Sequence, residues 1–310
     1  MEKSKKRNLI TYLIIGASCL VVGGTAGIVA KRLLGQEVVD DSGFNPEKYK
    51  ADSAALLKRY ENYTGTTPEK EFTQSELVNI ALEKYRRSEN SYSVGIGLAI
   101  AKSVGITVVQ EIRSAQVKNG DSYFEESASK SDMVPCAYRF YQEGADGEVD
   151  SYEGSDVAKD ATYATYTNTP KHYTHDGYKK AWGKTLDEMF IYIVSGKTVM
   201  SSEPLERNGS DYVITLNLNV DTSTYYYKYQ MVTISGLSSR PVFTLEKLKY
   251  VLTKDLELKQ LTCEEAYSAS MAGISAQTTA TLNYYYFPNY EIKIPELNKR
   301  IDYSMEGLRS

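Results

Sequence analysis

The chain has 310 residues, of which 42% are hydrophobic and 25% charged, and this ordinary globular composition excludes a wholly disordered, collagen-like or coiled-coil protein. A formal charge of −4 argues against a nucleic-acid partner, and 3 cysteines are too few for a disulfide-rich scaffold. Tyrosine is unusually frequent, with 27 residues beside 1 tryptophan and 2 histidines.

The N-terminus has the pattern of a membrane anchor. Residues 1–8 form a basic stub, and residues 9–29 follow without a charged side chain. At about 1.5 Å per residue, a helix of this length spans the roughly 30 Å hydrocarbon core. The basic stub favours a cytoplasmic N-terminus, so we expect a single-pass protein of the cell membrane with an extracytoplasmic C-terminal domain. Cleavage as a signal peptide and lipidation at Cys19 are the two alternatives.

Two glycines in this span have the spacing of a helix-pairing motif. Gly23 and Gly27 are separated by three residues, which lets two membrane helices approach closely. A homodimer paired through the membrane helix is therefore one expectation. The alternative is that glycine is simply common in membrane helices.

A stalk and a pair of helices follow the anchor. Residues 30–44 are polar and acidic and form the stalk, and residues 45–89 form the helix pair. Asn45 and Pro46 are a strong helix start, because a capping side chain precedes proline at the first helical position. The second helix begins at Thr73, which opens a capping box.

The period of the apolar residues changes from 3.6 to 2 at residue 90. Residues 90–295 are therefore predicted to form an antiparallel β domain with helical inserts, and residues 296–310 a tail. The predicted strands lie at 94–100, 106–113, 123–127, 134–142, 189–199, 212–220, 243–253, 256–269 and 278–287, and the helices at 176–182 and from 221 or 222 to 234.

This order of elements resembles the LolA/LolB-like lipoprotein-carrier fold over about residues 90–290. It also resembles related membrane-anchored extracytoplasmic proteins of Gram-positive bacteria that have no assigned function. The resemblance implies a strongly curved sheet wrapped around helices, with a concave apolar face that could hold an acyl chain. No short motif supports it, so no functional residue is carried over. The predicted fold class is α+β: an N-terminal transmembrane helix, a helix pair, then a curved antiparallel sheet packed on helices.

No motif marks a catalytic centre. Ser195–Thr198 ends like a phosphate-binding loop, but isoleucine stands at position 191, where the motif needs glycine. The acidic run 146–150 begins like a calcium loop, but position 157 is valine where glutamate is required. We therefore expect a non-catalytic protein without a cofactor, and an envelope hydrolase with scattered catalytic residues is a third class of function.

Two further sets of residues are candidates for a metal site and a disulfide. His172, His175 and Asp176 offer two nitrogens and a carboxylate, although a polar loop explains them without a metal, and we expect none. Cys136 and Cys263 both fall in predicted strands of an extracytoplasmic domain. They are predicted to be two buried thiols or, alternatively, a disulfide.

The tyrosines suggest two classes of function. Tyr225, Tyr229, Tyr284 and Tyr286 are the candidate ligand-surface residues, although packing alone also explains tyrosines in strands. The first hypothesis is a membrane-anchored protein that binds a lipid-like or apolar ligand in a curved sheet. The alternative is a cell-envelope interaction module that binds glycan or protein through exposed tyrosines. A cavity inside the curve favours the first hypothesis, and an outward tyrosine patch favours the second.

Overall fold

The computed structural model describes residues 44–103, 105–131, 135–159, 164–235, 237, 240–271 and 274–290. The predicted membrane span at 9–29, with Gly23 and Gly27, lies outside these residues, as does the tail at 296–310. Within the described part, no helix combines the length and apolarity needed to cross a membrane.

The described residues form an α+β structure with four α-helices and thirteen strands. The helices are α1 (Pro46–Glu61), α2 (Gln74–Arg87), α3 (His175–Trp182) and α4 (Tyr225–Ser235), with a 3₁₀ turn at Pro68–Lys70. The strands are β1 (Asn90–Ser103), β2 (Ile106–Asn119), β3 (Ser122–Ser131), β4 (Pro135–Gln142), β5 (Val149–Ser155), β6 (Thr165–Tyr166), β7 (Lys171–Tyr173), β8 (Val199–Ser202), β9 (Glu206–Asn208), β10 (Asp211–Leu218), β11 (Val242–Leu252), β12 (Leu258–Met271) and β13 (Ile274–Pro288).

The strands form one curved, open sheet in the order β6-β5-β4-β3-β2-β1-β13-β12-β11-β10-β8, while β7 pairs with β5 and β9 with β10. Each of these pairings is antiparallel, as the short polar turns predict. Strand β1 lies at the centre, because it pairs with β2 on one side and with β13 on the other. The predicted α+β class and curved antiparallel sheet are confirmed.

Local signals start and end the helices as the sequence predicts. The Asn45 side chain accepts a hydrogen bond from the Lys48 backbone N–H at 2.9 Å, and Thr73 opens α2 with a complete capping box. Gly183 ends α3 in the left-handed region, at φ 75°. These interactions satisfy backbone groups that each helix end would otherwise leave unpaired.

The helices pack on the concave face of the sheet, and the core forms between their buried side chains and those of the strands. Helix α2 lies against β10, β11 and β12, with Leu77 and Ile80 fully buried. The Tyr85 ring meets the Tyr286 ring of β13 edge to face, at 5.1 Å between centres. At the other end of the sheet, Trp182 of α3 packs against Phe140 of β4 at 4.6 Å.

One predicted strand is wrong. The strand predicted at 189–199 contains an unbroken apolar run at 189–194, but the chain forms no strand until β8 begins at Val199. This segment crosses the concave face instead, with Tyr192, Ile193 and Val194 buried. A segment that packs over a sheet face buries apolar side chains without joining the backbone ladder. An apolar run is therefore compatible with a strand and with an irregular segment of this kind.

Candidate ligand-binding site

A cavity of about 100 Å³ lies between the concave face of the sheet and an irregular segment that covers it. We call it the sheet cavity, and we call residues 184–194 the cover segment. The sheet wall comes from β1, β2, β3, β11, β12 and β13, and the cover segment supplies the opposite wall with residues 184 and 189–192.

The two halves of the sheet cavity differ in polarity. Strands β11–β13 line one half with apolar and tyrosine side chains: Tyr250, Leu261, Leu282, Tyr284 and Tyr286. Strands β1–β3 line the other half with Ile112 and a mainly polar set: Ser93, Ser114, Gln116, Glu125 and Ser127. Burial raises the pKa of Tyr250, Tyr284 and Tyr286, so these phenols are neutral. The cavity therefore presents an amphipathic surface without anionic tyrosines.

A glycine in the middle strand lets the tyrosine wall approach. A Cβ added at Gly95 would lie 2.4 Å from Ser114 Oγ and 2.7 Å from the Tyr284 ring. The sequence signal for this arrangement is the alternation along β1, where small residues occupy one face and larger aliphatic residues the other. The face with small residues is the one that lines the cavity.

Two side chains tie the first nine residues of the cover segment to the sheet. Lys184 donates to Glu125, which also accepts from Gln116 Nε2 at 3.0 Å. Tyr192 donates to Glu265 of β12. The described hydrogen bonds between residues 184–192 and the sheet are these two and the one that the Cys263 thiol of β12 donates to the Tyr192 hydroxyl. The segment is therefore held by side chains rather than by a backbone ladder.

A second buried group of polar side chains lies beyond Tyr192 on the same concave face. We call Glu246, Cys263 and Glu265 the Glu–Cys cluster. Their ligand-type atoms all lie within 4.8 Å of one another, and the three residues are at most 2% exposed. Tyr227 of α4 donates to Glu265 Oε1 at 3.1 Å, and the Cys263 thiol is 3.4 Å from the Tyr192 hydroxyl.

Burial changes the protonation of this cluster. It raises the pKa of Glu265 to about 7, although hydrogen bonds from Tyr192 and Tyr227 oppose the shift. Burial, and then the neighbouring charge of Glu265, hold the pKa of Glu246 well above its usual range. Burial also raises the pKa of the Cys263 thiol, so it is not an activated nucleophile.

A second and larger groove is lined by the N-terminal helices. This helix groove has a volume of about 710 Å³ and runs between α1, α2 and the turn at 195–198. Its charged residues are Lys48, Asp52, Arg59, Glu76 and Lys197. The turn at 195–198 connects irregular chain to β8, so its resemblance to a phosphate-binding loop stays rejected.

The four candidate tyrosines divide into two places. Tyr284 and Tyr286 line the sheet cavity, as their shared strand face predicts. Tyr225 packs on Phe44 at 4.8 Å between ring centres, away from the cavity lining, and Tyr229 is half-buried. An outward patch does not form among the described tyrosines, of which Tyr290 alone is exposed.

The structure does not bring the candidate metal residues together. His172 Nδ1 pairs with Asp150 at 2.6 Å, and among the described residues the Glu–Cys cluster is the one group with metal-ligand geometry. His175 and Asp176 form the first turn of α3. His172, His175 and Asp176 therefore do not form a group with metal-ligand geometry in the described part of the chain.

The disulfide between Cys136 and Cys263, which was the alternative to two buried thiols, does not form. Cys263 is a free, buried thiol on β12, whereas Cys136 lies on β4. Strands β3, β2, β1 and β13 lie between the two in the sheet. A disulfide needs Cα atoms about 4.4–6.8 Å apart, and two strands so far removed in the order do not provide this.

The chain was compared with solved structures. An outer membrane lipoprotein-sorting protein domain of Vibrio parahaemolyticus is 11% identical, and the match covers 71% of this chain and 95% of that chain at a TM-score of 0.27. A DUF1329 family protein of Desulfovibrio piger is 10% identical, with coverage of 71% and 93% and a TM-score of 0.26. The Ail protein of Yersinia pestis is 9% identical, with coverage of 64% and 99% and a TM-score of 0.17.

The first of these is a lipoprotein-sorting domain, which is the class of protein that the order of elements resembles. No protein-family model matches the chain, and no curated protein matches its sequence. All three TM-scores are below 0.5, so we infer the function of this chain from the geometry of its site alone.

Proposed function

We propose that this chain is a non-catalytic binding protein of the cell envelope that holds a lipid-like or other apolar ligand in the sheet cavity. Residues 9–29 anchor it in the membrane, and the domain that follows lies outside the cytoplasm. The observation that carries the proposal is the division of the cavity into a polar half on β1–β3 and an apolar half on β11–β13. An amphipathic molecule matches this division.

The polarity of the walls sets the orientation of the ligand. A polar head group would face Glu125 and Lys184, which can exchange their mutual ion pair for contacts with the ligand. The apolar tail would lie on Tyr284 and Tyr286, since tyrosine gives a large apolar body even when its hydroxyl is engaged.

Ligand entry requires the cover segment to move. Ligand pockets usually have volumes of about 300–1,000 Å³, and the sheet cavity is smaller, at about 100 Å³. The part of the cover segment that lines the cavity has no helix or strand and is tied to the sheet by Lys184 and Tyr192. Displacing it breaks the hydrogen bonds that join Lys184 and Tyr192 to the sheet, together with the ring contact between Phe190 and Tyr286, and opens the concave face to a longer ligand.

The alternative function, an interaction module that uses exposed tyrosines, has less support. Among the described residues Tyr290 is the single exposed tyrosine, and the candidates Tyr225, Tyr229, Tyr284 and Tyr286 are buried or half-buried. Pairing of the membrane helices through Gly23 and Gly27 stays a prediction.

Filling the cavity tests the proposal. Ser114→Phe places a phenyl ring in the cavity between Gly95 and the polar half, and we expect the affinity for a fluorescent fatty acid to fall at least tenfold, about 1.4 kcal/mol. Val109→Phe is the matched control, because Val109 lies on the same strand and is 48% exposed. Ala55→Phe blocks the helix groove instead.

The three variants separate the two locations. Loss of binding in Ser114→Phe alone supports the sheet cavity. Unchanged binding in a folded Ser114→Phe protein contradicts it, and loss in Ala55→Phe would move the site to the helix groove.

A further inference from the structure

We propose that the Glu–Cys cluster is a binding site for a divalent transition-metal ion, with Zn²⁺ as the first candidate. Glu246, Cys263 and Glu265 would supply two carboxylate oxygens and a thiolate. This proposal is independent of the ligand proposed for the sheet cavity.

The sheet register brings the three donors together. Glu246 of β11 lies directly opposite Glu265 of β12, and Cys263 lies two residues earlier on the same face of β12. The Cys263 sulfur is 4.0 Å from Glu265 Oε2. In a tetrahedral zinc site, bond lengths of about 2.0–2.3 Å place neighbouring ligand atoms roughly 3.3–3.7 Å apart. The donors therefore reach that geometry with side-chain shifts of about 1 Å or less.

Glu246 supplies an independent observation that points to a ligand. This side chain is 2% exposed, and neither of its oxygens has a hydrogen-bond partner among the described residues. A buried polar group without a partner costs about 1–3 kcal/mol, and more when charged. Its carboxylate is aimed at Cys263 and Glu265, so a cation held between the three would supply the missing partner.

The charges around the cluster favour a cation. Like charges directly opposite each other in a ladder repel, and no described lysine or arginine forms an ion pair with Glu246 or Glu265. Lys228 acts on Glu246 through space, while its ammonium contacts the Val220 carbonyl at 3.0 Å. A divalent ion would neutralise both carboxylates at once.

The donor set selects among metals. A thiolate is a soft ligand that suits zinc and its neighbours, whereas calcium and magnesium take oxygen ligands. The hydroxyls of Tyr192 and Tyr227 donate to Glu265 and hold its carboxylate in place. Hydrogen bonds of this kind to a ligating carboxylate are a regular part of metal sites.

The test is a Co²⁺ titration of the full chain, purified in detergent, reduced and freed of metal by a chelator. Cobalt bound to a thiolate absorbs strongly in the near ultraviolet, and loss of this absorption in Cys263→Ser assigns it to Cys263 rather than to Cys19 or Cys136. We expect one Co²⁺ per chain, displaced by Zn²⁺. Glu246→Gln and Cys263→Ser should each weaken binding more than about 100-fold, because losing a hydrogen bond to a ligand already costs 10–100-fold.

A double variant, His172→Ala with His175→Ala, is the control for adventitious binding at exposed histidines and should bind as the wild type does. Melting curves without metal check that Glu246→Gln is folded; removing a buried carboxyl should leave stability unchanged or higher. The proposal is overturned if the wild type shows no thiolate–cobalt absorption, since the two carboxyls then share a proton instead. Equal binding by a folded Glu246→Gln protein overturns it as well.

Discussion

Replacing Glu126 by glutamine is expected to lower the free energy of unfolding by about 3–5 kcal/mol, which is the usual cost of leaving one partner of a buried ion pair uncompensated. The Arg139 guanidinium and the Glu126 carboxylate are 0% and 1% exposed, with 2.9 Å between Nε and Oε2. Tyr166 donates to the second carboxylate oxygen at 2.7 Å, and its ring lies 3.9 Å from the guanidinium carbon. Glutamine keeps the shape but leaves the arginine charge buried.

Urea denaturation of wild type and variant measures the difference. Glu111→Gln is the matched control, since Glu111 lies on the adjacent strand β2 and is exposed. We expect the control to change the free energy of unfolding by less than about 0.5 kcal/mol. A change below about 1 kcal/mol in Glu126→Gln would contradict the assigned ion pair.

The second large effect is a loss of stability as the pH rises from about 5 to about 8 in the presence of a chelator. The unfolded chain ionises Glu265 near its usual pKa of 4.5, whereas the folded chain holds this proton until about pH 7. Between these values the folded state binds more protons, so raising the pH favours unfolding. This shift corresponds to a loss on the order of 3 kcal/mol.

The loss of stability with rising pH depends on the groups that face Glu265. Glu246 opposes it across the ladder, Cys263 lies beside it, and Tyr192 and Tyr227 donate to it. Glu246→Gln removes a second carboxyl whose folded-state pKa is raised by burial and by Glu265, and it should therefore flatten the dependence of unfolding free energy on pH.

Glu264→Gln is the matched control, because this exposed residue follows Cys263 on the other face of β12 and should leave the pH dependence unchanged. Urea denaturation at several pH values makes the measurement. A wild-type stability that stays constant or rises between pH 5 and pH 8 would show that the two carboxyls are not buried together.

The elements that the sequence predicts well are those whose signals are local. The capped start at Asn45, the capping box at Thr73 and the glycine stop at Gly183 each act within one helical turn. Strand alternation is also local, and it correctly assigns Tyr284 and Tyr286 to one face. These features need no knowledge of which strands are neighbours.

The features that the sequence does not reveal depend on contacts between distant parts of the chain. The cover segment resembles a strand in composition, but it packs on a sheet face whose strands come from parts of the sequence before and after it. Alternation along β12 places Glu265 among apolar residues without identifying Glu246 as its opposite. A glutamate on the apolar face of each of two successive strands is the signal that could have identified the Glu–Cys cluster.

Native mass spectrometry of residues 36–310, exported from the cytoplasm and purified without detergent, is the most direct test of the central claim. The account predicts an added mass of lipid size that is lost after organic extraction, and that Ser114→Phe lacks. A bare protein mass in the wild type, with the domain folded, would contradict the claim that the curved sheet holds a lipid-like ligand.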